Sequence, residues 1–115
     1  MENKKRAWAY CAIDAPEDTH GTLKGQRQQL MDYAEQMGFE MVGSSTDTGN
    51  LPLWERTGFH HFIEAVQTDR ADILLVVNEN SLTRSSMQIA QLQALTESYG
   101  IQIYSPRSGA ILHCQ

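Results

Sequence analysis

Two aspartates stand where the first two predicted strands of the chain end. Asp14 follows the apolar segment 7–13, and Asp47 follows a second predicted strand at 39–42. Carboxylates at neighbouring strand ends could hold Mg²⁺, which binds one or two carboxylates and keeps several waters. Aspartate is also favoured in turns, because its side chain hydrogen-bonds to the nearby backbone. The residues leave both interpretations open, a magnesium site and a pair of turn formers.

A polar cluster follows the most apolar segment of the chain, Ile73 to Val77. Its members are Asn78, Glu79, Asn80, Ser81, Thr83 and Arg84. We expect Arg56 and Arg84 near the same crevice, and a pair of guanidinium groups can bind phosphate bidentately. Arginine is more often simply exposed, and Asn and Ser also terminate strands. The cluster therefore permits a phosphate site without requiring one.

The chain lacks the motifs of the common metal and nucleotide sites. His60 and His61 are adjacent, and adjacent side chains on a helix point about 100° apart. The sequence has no Cys-x-x-Cys, no His-x-x-x-His and no glycine-rich phosphate motif. It therefore predicts no zinc site, no standard nucleotide fold and no cofactor.

The elements that must position these residues alternate between strands and helices. Strands are predicted at 7–13, 39–42, 72–77 and 101–104, with a short edge strand at 110–113. Helices are predicted at 22–37, 57–68 and 85–99. Thr22 and Thr57 are predicted as N-terminal caps, and Gly38 and Gly100 as the residues that end two helices. The segment 43–52 is rich in turn formers and is predicted as a loop.

This alternation predicts the fold class. We expect an α/β fold of three layers, doubly wound, with a mainly parallel sheet of four to five strands and helices on both faces. The run Ile73–Val77 suits a central strand, since both faces of a parallel sheet are covered. Function is then expected in the loops at the carboxyl ends of the strands. Those loops are 14–21, 43–56, 78–85 and 105–109.

Composition limits the class of protein. The chain has 115 residues, 41% of them hydrophobic and 20% charged, which is typical of one soluble globular domain. No apolar run is long enough to cross a membrane or to form a signal peptide, so we expect a cytoplasmic protein. Cys11 is predicted to be buried and reduced. The net charge of −5 and the scattered basic residues argue against DNA binding by this chain alone.

Three segments in the first half of the chain resemble motifs of one enzyme family. Ala9-Tyr10-Cys11-Ala12-Ile13-Asp14 is similar to the Tyr-Ala-Arg-Val-Ser opening of the serine recombinases, the resolvases and invertases. Thr22 to Leu30 resembles their Ser-Leu-x-x-Gln-x-x-x-Leu helix start. Asp47 to Asn50 resembles their Asp-x-x-Ser-Gly loop.

Three further segments resemble the same family in the same order. Arg56 to Phe59 is similar to Arg-Pro/Lys-Gly-Leu, and Ile73 to Arg84 is similar to the strand that ends in Leu-Asp-Arg-Leu-x-Arg. Gly100 to Ile103 resembles the Gly-Val-x-Val strand. Each motif is weak alone, but the ordered set over roughly residues 7–105 is fairly specific.

The resemblance implies a chemistry and the positions that would perform it. In the family a serine attacks a DNA phosphodiester and forms a 5′-phosphoserine link, while arginines stabilise the phosphate charge. By position, Asp14 replaces the nucleophilic serine and Ala12 replaces an arginine. Asn80 and Ser81 replace an Asp-Arg pair. The retained family positions are Gln26, Arg56 and Arg84.

These substitutions predict an inactive site. A carboxylate at position 14 repels a phosphodiester where positive charge is needed. Ala12 and Ser81 remove two arginines, and one charge-assisted donor is typically worth ~10²–10³ in rate.

The resemblance also implies an organisation and a role. We expect residues 1–115 to form a single resolvase-like catalytic domain without the long C-terminal helix and DNA-binding domain of the family. The expected role is partner, regulator or relic of a mobile element, with an intact recombinase or a second copy as partner. Two alternatives stay open: a small-ligand or Mg²⁺-dependent phosphate-binding domain using the acidic crevice, and a purely structural interaction module.

Overall fold

The computed structural model describes residues 5–13, 21–49, 51–77, 86–106 and 109–111. In chain order the elements are β1 (Arg6–Ile13), α1 (Thr22–Met37), β2 (Glu40–Thr48), a short 3₁₀ helix (Leu53–Glu55), α2 (Thr57–Gln67), β3 (Ile73–Leu75), α3 (Ser86–Tyr99), β4 (Gln102–Ser105) and β5 (Gly109–Ile111).

The strands form one sheet in the order β2-β1-β3-β4-β5. The first four strands are parallel, and β5 pairs antiparallel with β4. The predicted fold class is confirmed, as is the edge strand near residue 110. The central position of β3 explains why its three residues are buried and entirely apolar.

Two hydrophobic cores lie on opposite faces of the sheet. One joins β1 and β3 to α2 and α3, and includes Tyr10, Phe59, Phe62, Leu74 and Leu92. The other joins β1 and β3 to α1, and includes Ala9, Cys11, Leu30, Ile73 and Leu75. Alternate residues of β1 and β3 divide between the two cores, as expected for strands whose side chains alternate in direction. The sheet is therefore the middle of three layers.

The helix ends were predicted better than the helix starts. Gly38 and Gly100 have φ of 77° and 66°, the left-handed conformation that ends helices. Thr22 and Thr57 are not N-terminal caps, because each is the first residue inside its helix. The residues that precede them, Gly21 and Arg56, make no side-chain capping hydrogen bond. The backbone N–H groups at the start of α2 donate instead to a side chain of β2.

The main error of the sequence prediction concerns β2. The segment 43–52 was predicted as a loop, but the strand continues to Thr48 and pairs with β1 as far as Ile13. Pairing along the whole of β1 outweighs the turn propensity of Gly, Ser and Asp. The register shifts once, at Val42, which forms a bulge opposite the Ala7–Trp8 step.

An ion-pair cluster fastens the start of β1 to the start of β3. The Arg6 guanidinium donates to both carboxylate oxygens of Asp72, each at 2.9 Å, and to Asp69 Oδ1 at 3.0 Å. The backbone N–H of Arg6 also donates to Asp72 Oδ2 at 3.0 Å. These contacts hold the pKa of Asp72 below its ordinary value, chiefly through the hydrogen bond from Arg6.

No helix in the described part of the chain has both the length and the apolar character needed to cross a membrane.

Candidate functional site

The carboxyl ends of β1 and β2 lie side by side and define the candidate site. Ala12 is in register with Asp47, and Ile13 is in register with Thr48. Among the residues predicted for the site, Ala12, Gln26, Asp47 and Arg56 are described. Asp14, Asn80, Ser81 and Arg84 lie outside the described residues.

Asp47 closes the amino end of α2 across the sheet. Its Oδ1 accepts the backbone N–H of Gly58 at 2.9 Å, and its Oδ2 accepts the backbone N–H of Phe59 at 3.0 Å. Both amides belong to the first turn of α2, where backbone N–H groups have no partner within the helix. The negative charge also faces the positive end of the helix dipole. Asp47 thus performs the capping that was predicted for Thr57.

Tyr10 completes the surroundings of this carboxylate. Its buried hydroxyl donates to Asp47 Oδ2 at 2.7 Å, and Arg56 Nη1 approaches the same hydroxyl at 3.4 Å. Burial raises the pKa of Tyr10 above its ordinary value, so the hydroxyl stays protonated and acts as a donor. The oxygens of Asp47 are therefore occupied by two amides and a phenol.

These contacts bear on the two interpretations of Asp47. It lies inside a strand, not in a turn, and its donors hold it to α2. No group of three or more His, Cys, Asp or Glu residues in the described segments is arranged to hold a metal ion. The arrangement of Asp47 matches a structural cap.

Gln26 fixes the end of β1 from the first turns of α1. Its Oε1 accepts the backbone N–H of Ala12 at 3.2 Å, and its Nε2 donates to the backbone carbonyl of Ala12 at 3.1 Å. The pairing of β1 with β3 extends only from Ala7 to Ala9, so the amide of Gln26 continues the ladder where β3 no longer pairs. Gln26 therefore supports the site through the backbone of β1.

Arg56 is anchored beside the same edge. Its Nε donates to the carbonyl of Leu51 at 2.8 Å, while Nη1 approaches Tyr10. The side chain is half-buried at the residue that precedes α2. The structure thus places Ala12, Gln26, Asp47 and Arg56 at the same edge of the sheet, and their assignment to a functional site stays a prediction.

Tyr10 is the member of this site that sequence reasoning missed. It was assigned only to the first strand and to the motif of the resemblance. The signal was the alternation along β1, which places Tyr10 and Ala12 on the same face. Because Asp47 is in register with Ala12, a long side chain at position 10 can reach it.

Comparisons with known proteins agree with this architecture. The family model for the resolvase N-terminal domain matches residues 15–112. The fold is similar to the N-terminal catalytic domain of TP901-1 integrase, with 21% identity, a TM-score of 0.77, and coverage of 91% of this chain and 79% of that one. No match was found among curated proteins.

Two further solved structures share the fold. A resolvase family site-specific recombinase from Streptococcus pneumoniae has 16% identity, a TM-score of 0.79, and coverage of 97% of this chain and 79% of that one. The C-terminal catalytic domain of ISC1926 TnpA, an IS607-like serine recombinase, has 23% identity, a TM-score of 0.76, and coverage of 87% and 69%. The family match over most of the chain and the shared fold lead to one conclusion: this chain belongs to the resolvase N-terminal domain family.

Proposed function

We propose that this domain keeps the scaffold of a serine recombinase but does not cleave DNA, and that it acts as a partner or regulator of an intact recombinase. The observation that carries the proposal is the composition of the β1 end. Ala12 offers only a methyl group there, and the sequence continues to Asp14 at the position that the resemblance assigns to the nucleophile.

The chemistry of phosphodiester cleavage explains why this composition matters. Attack needs an activated hydroxyl and cationic groups that stabilise the charge of the transition state. A carboxylate at position 14 adds negative charge next to a negatively charged phosphodiester. Arg56 and Arg84 remain, but Ala12 and Ser81 supply no cation where the resemblance implies arginine.

The retained residues support a preserved scaffold. Asp47 and Tyr10 hold α2 against β2, and Gln26 holds α1 against β1. These contacts keep the outline of a recombinase domain without supplying a nucleophile. A domain with this outline can enter an assembly with intact relatives, where it would reduce the number of active sites.

The alternative function, Mg²⁺-dependent phosphate binding in the acidic crevice, draws little support from the position of Asp47. Binding of a cation would have to compete with the two helix amides and the Tyr10 hydroxyl. A thermal melt with and without Mg²⁺ and inorganic phosphate tests it. We expect an unchanged melting temperature, and a rise that disappears in Asp47→Asn would favour the alternative.

The partner role is tested with an intact recombinase encoded beside this chain. We expect a mixed complex on size-exclusion chromatography and a recombination rate that falls as this domain is added. The chain alone should leave the supercoiled plasmid intact. Absence of a mixed complex together with an unchanged recombination rate would contradict the proposed role.

A further inference from the structure

A short segment between β2 and α2, residues 51–56, carries Arg56 to the candidate site. It contains the single turn of 3₁₀ helix, in which the backbone N–H of Arg56 donates to the carbonyl of Leu53 at 3.2 Å. The guanidinium Nε of Arg56 donates to the carbonyl of Leu51 at 2.8 Å, at the opposite end of the segment. The position of the guanidinium therefore follows the backbone of this segment, which we call the strap.

Two glutamines of α3 hold the strap from one side. Gln88 Oε1 accepts the backbone N–H of Leu53 at 3.2 Å, and Gln91 Oε1 accepts the indole N–H of Trp54 at 2.6 Å. Because the two glutamines are three residues apart, they lie on the same face of α3. Leu53 is the first residue of the 3₁₀ helix, so its N–H has no acceptor within that helix. The acceptor comes instead from α3.

The helix that supplies these acceptors has few buried side chains. Within residues 87–99 only Leu92 and Thr96 are buried, whereas the shorter α2 has five buried residues. Thr96 Oγ1 donates to the carbonyl of Gln93 in its own helix, at 2.7 Å, so this hydroxyl does not bind α3 to another element. Elements with few buried apolar side chains open locally before a domain unfolds. α3 is therefore suited to movement relative to the strap.

The other side of the strap is attached to α2 and to the core. Trp54 packs edge-to-face on Phe59, with ring centroids 5.3 Å apart, and the His60 ring contacts the carbonyl of Trp54. Leu53 is fully buried in the same core as Leu92. These contacts keep the strap folded when its bonds to α3 break. Loss of the α3 contacts therefore shifts the strap as a unit and does not unfold it.

We propose that the strap is a conformational relay in which Gln88 and Gln91 are positioning residues for Arg56. With α3 seated on the strap, Arg56 stays beside Tyr10, and displacement of α3 withdraws it. The distance from Arg56 Nη1 to the Tyr10 hydroxyl is 3.4 Å, close to the upper limit of a hydrogen bond, so a small shift of the strap breaks this contact. Coupling of this kind travels through chains of hydrogen bonds and packed side chains. The proposal does not depend on whether the domain cleaves DNA.

Paired substitutions at the two glutamines test the relay. Methionine has a similar length but no oxygen acceptor, whereas glutamate keeps the acceptor. The measurement is the nuclear Overhauser contact between the Arg56 side chain and the Tyr10 ring in the full chain. We expect this contact to be lost in the double variant Gln88→Met/Gln91→Met and kept in Gln88→Glu/Gln91→Glu. The matched control is Gln93→Met on the same helix, which should keep the contact because the described hydrogen bond of Gln93 uses its backbone carbonyl.

A second pair of variants loosens one helix at a time. Leu92 in α3 and Leu30 in α1 are both fully buried, on opposite faces of the sheet. Leu92→Ala should weaken the contact between Arg56 and Tyr10, and Leu30→Ala should leave it intact. If Leu92→Ala does not fold, the glutamine variants still decide the question. The proposal is overturned if the double methionine variant keeps the contact, if the double glutamate variant also loses it, or if Leu30→Ala weakens it as much as Leu92→Ala.

Discussion

Gly58 lies so close to Asp47 that no side chain fits between them. A Cβ atom on Gly58 would stand 2.6 Å from Asp47 Oδ2 and 2.5 Å from the carbonyl oxygen of Thr46. The same approach lets the Gly58 amide donate to Asp47 Oδ1 at 2.9 Å. The glycine and the aspartate together set the distance between α2 and β2.

Gly58→Ala should therefore destabilise the domain. The obstructing atoms include a backbone carbonyl that cannot rotate away, so α2 must shift from β2. We expect a loss of about 1–3 kcal/mol in the free energy of unfolding, measured by urea denaturation. The control is Gly25→Ala in α1, where a Cβ meets nothing within 4 Å. Gly25→Ala should raise the free energy of unfolding by about 0.5–1 kcal/mol. Equal effects of the two substitutions would contradict the close approach of Gly58 to β2.

The hydrogen bond between Tyr10 and Asp47 should couple their contributions to stability. Asp47→Asn should lower the free energy of unfolding by about 1–2 kcal/mol, because the side-chain NH₂ group of asparagine replaces one of the two carboxylate oxygens that accept hydrogen bonds at the start of α2. Tyr10→Phe should cost about 1 kcal/mol. The double variant should be less destabilised than the sum of the single variants. Strict additivity in urea denaturation would show that the phenol and the carboxylate act independently.

The Arg6–Asp72 pair should make stability depend on acid pH. The pKa of Asp72 is lowered in the folded state, so its contribution is complete above the unfolded pKa, about 3.9, and is lost as the pH falls through the folded value. Asp72→Asn should be less stable than the unsubstituted chain at pH 7, and the difference should shrink below about pH 4. A difference that stays constant from pH 7 to pH 2.5 would rule out this linkage. Thermal melts across the pH range supply the measurement.

The thiol of Cys11 should be unreactive in the folded domain. Cys11 is buried against the α1 core, and burial raises its pKa to about 11. With Cys114 replaced by serine, Cys11 is the sole cysteine. At pH 8, thiol reagents should then label the native protein far more slowly than protein in urea, since the thiolate is the reactive form. Equally fast labelling in both conditions would contradict the prediction. It would mean that α1 separates readily from β1 in the native protein and exposes Cys11.

The sequence predicted the fold through its buried segments. Local patterns were sufficient for these segments. They are the apolar residues of β1 and β3, the helical spacing of apolar residues in α2, and the glycines that end α1 and α3. The second half of β2 could not be predicted in this way, since Gly43–Thr48 is composed of residues that favour turns. Its strand conformation comes from pairing with β1.

The candidate site was predictable to a similar extent. Parallel strand ends bring Ala12 and Asp47 together, as the topology requires. The role of Asp47 was hidden, because capping of α2 by a residue of β2 is a contact between distant elements and not a local pattern. Gln26 was identified through the resemblance, whereas its action on the backbone of Ala12 became visible only in the structure.

We propose that the domain keeps the recombinase scaffold and lacks its cleavage chemistry. The most direct measurement is a search for a covalent protein–DNA adduct on a denaturing gel, using supercoiled plasmid that carries the recombination sites of a neighbouring intact recombinase. That recombinase serves as the positive control. We predict no adduct for this chain and none for Asp14→Ala. An adduct formed by the unsubstituted chain would contradict the claim, and its loss in Asp14→Ala would identify Asp14 as an unexpected nucleophile.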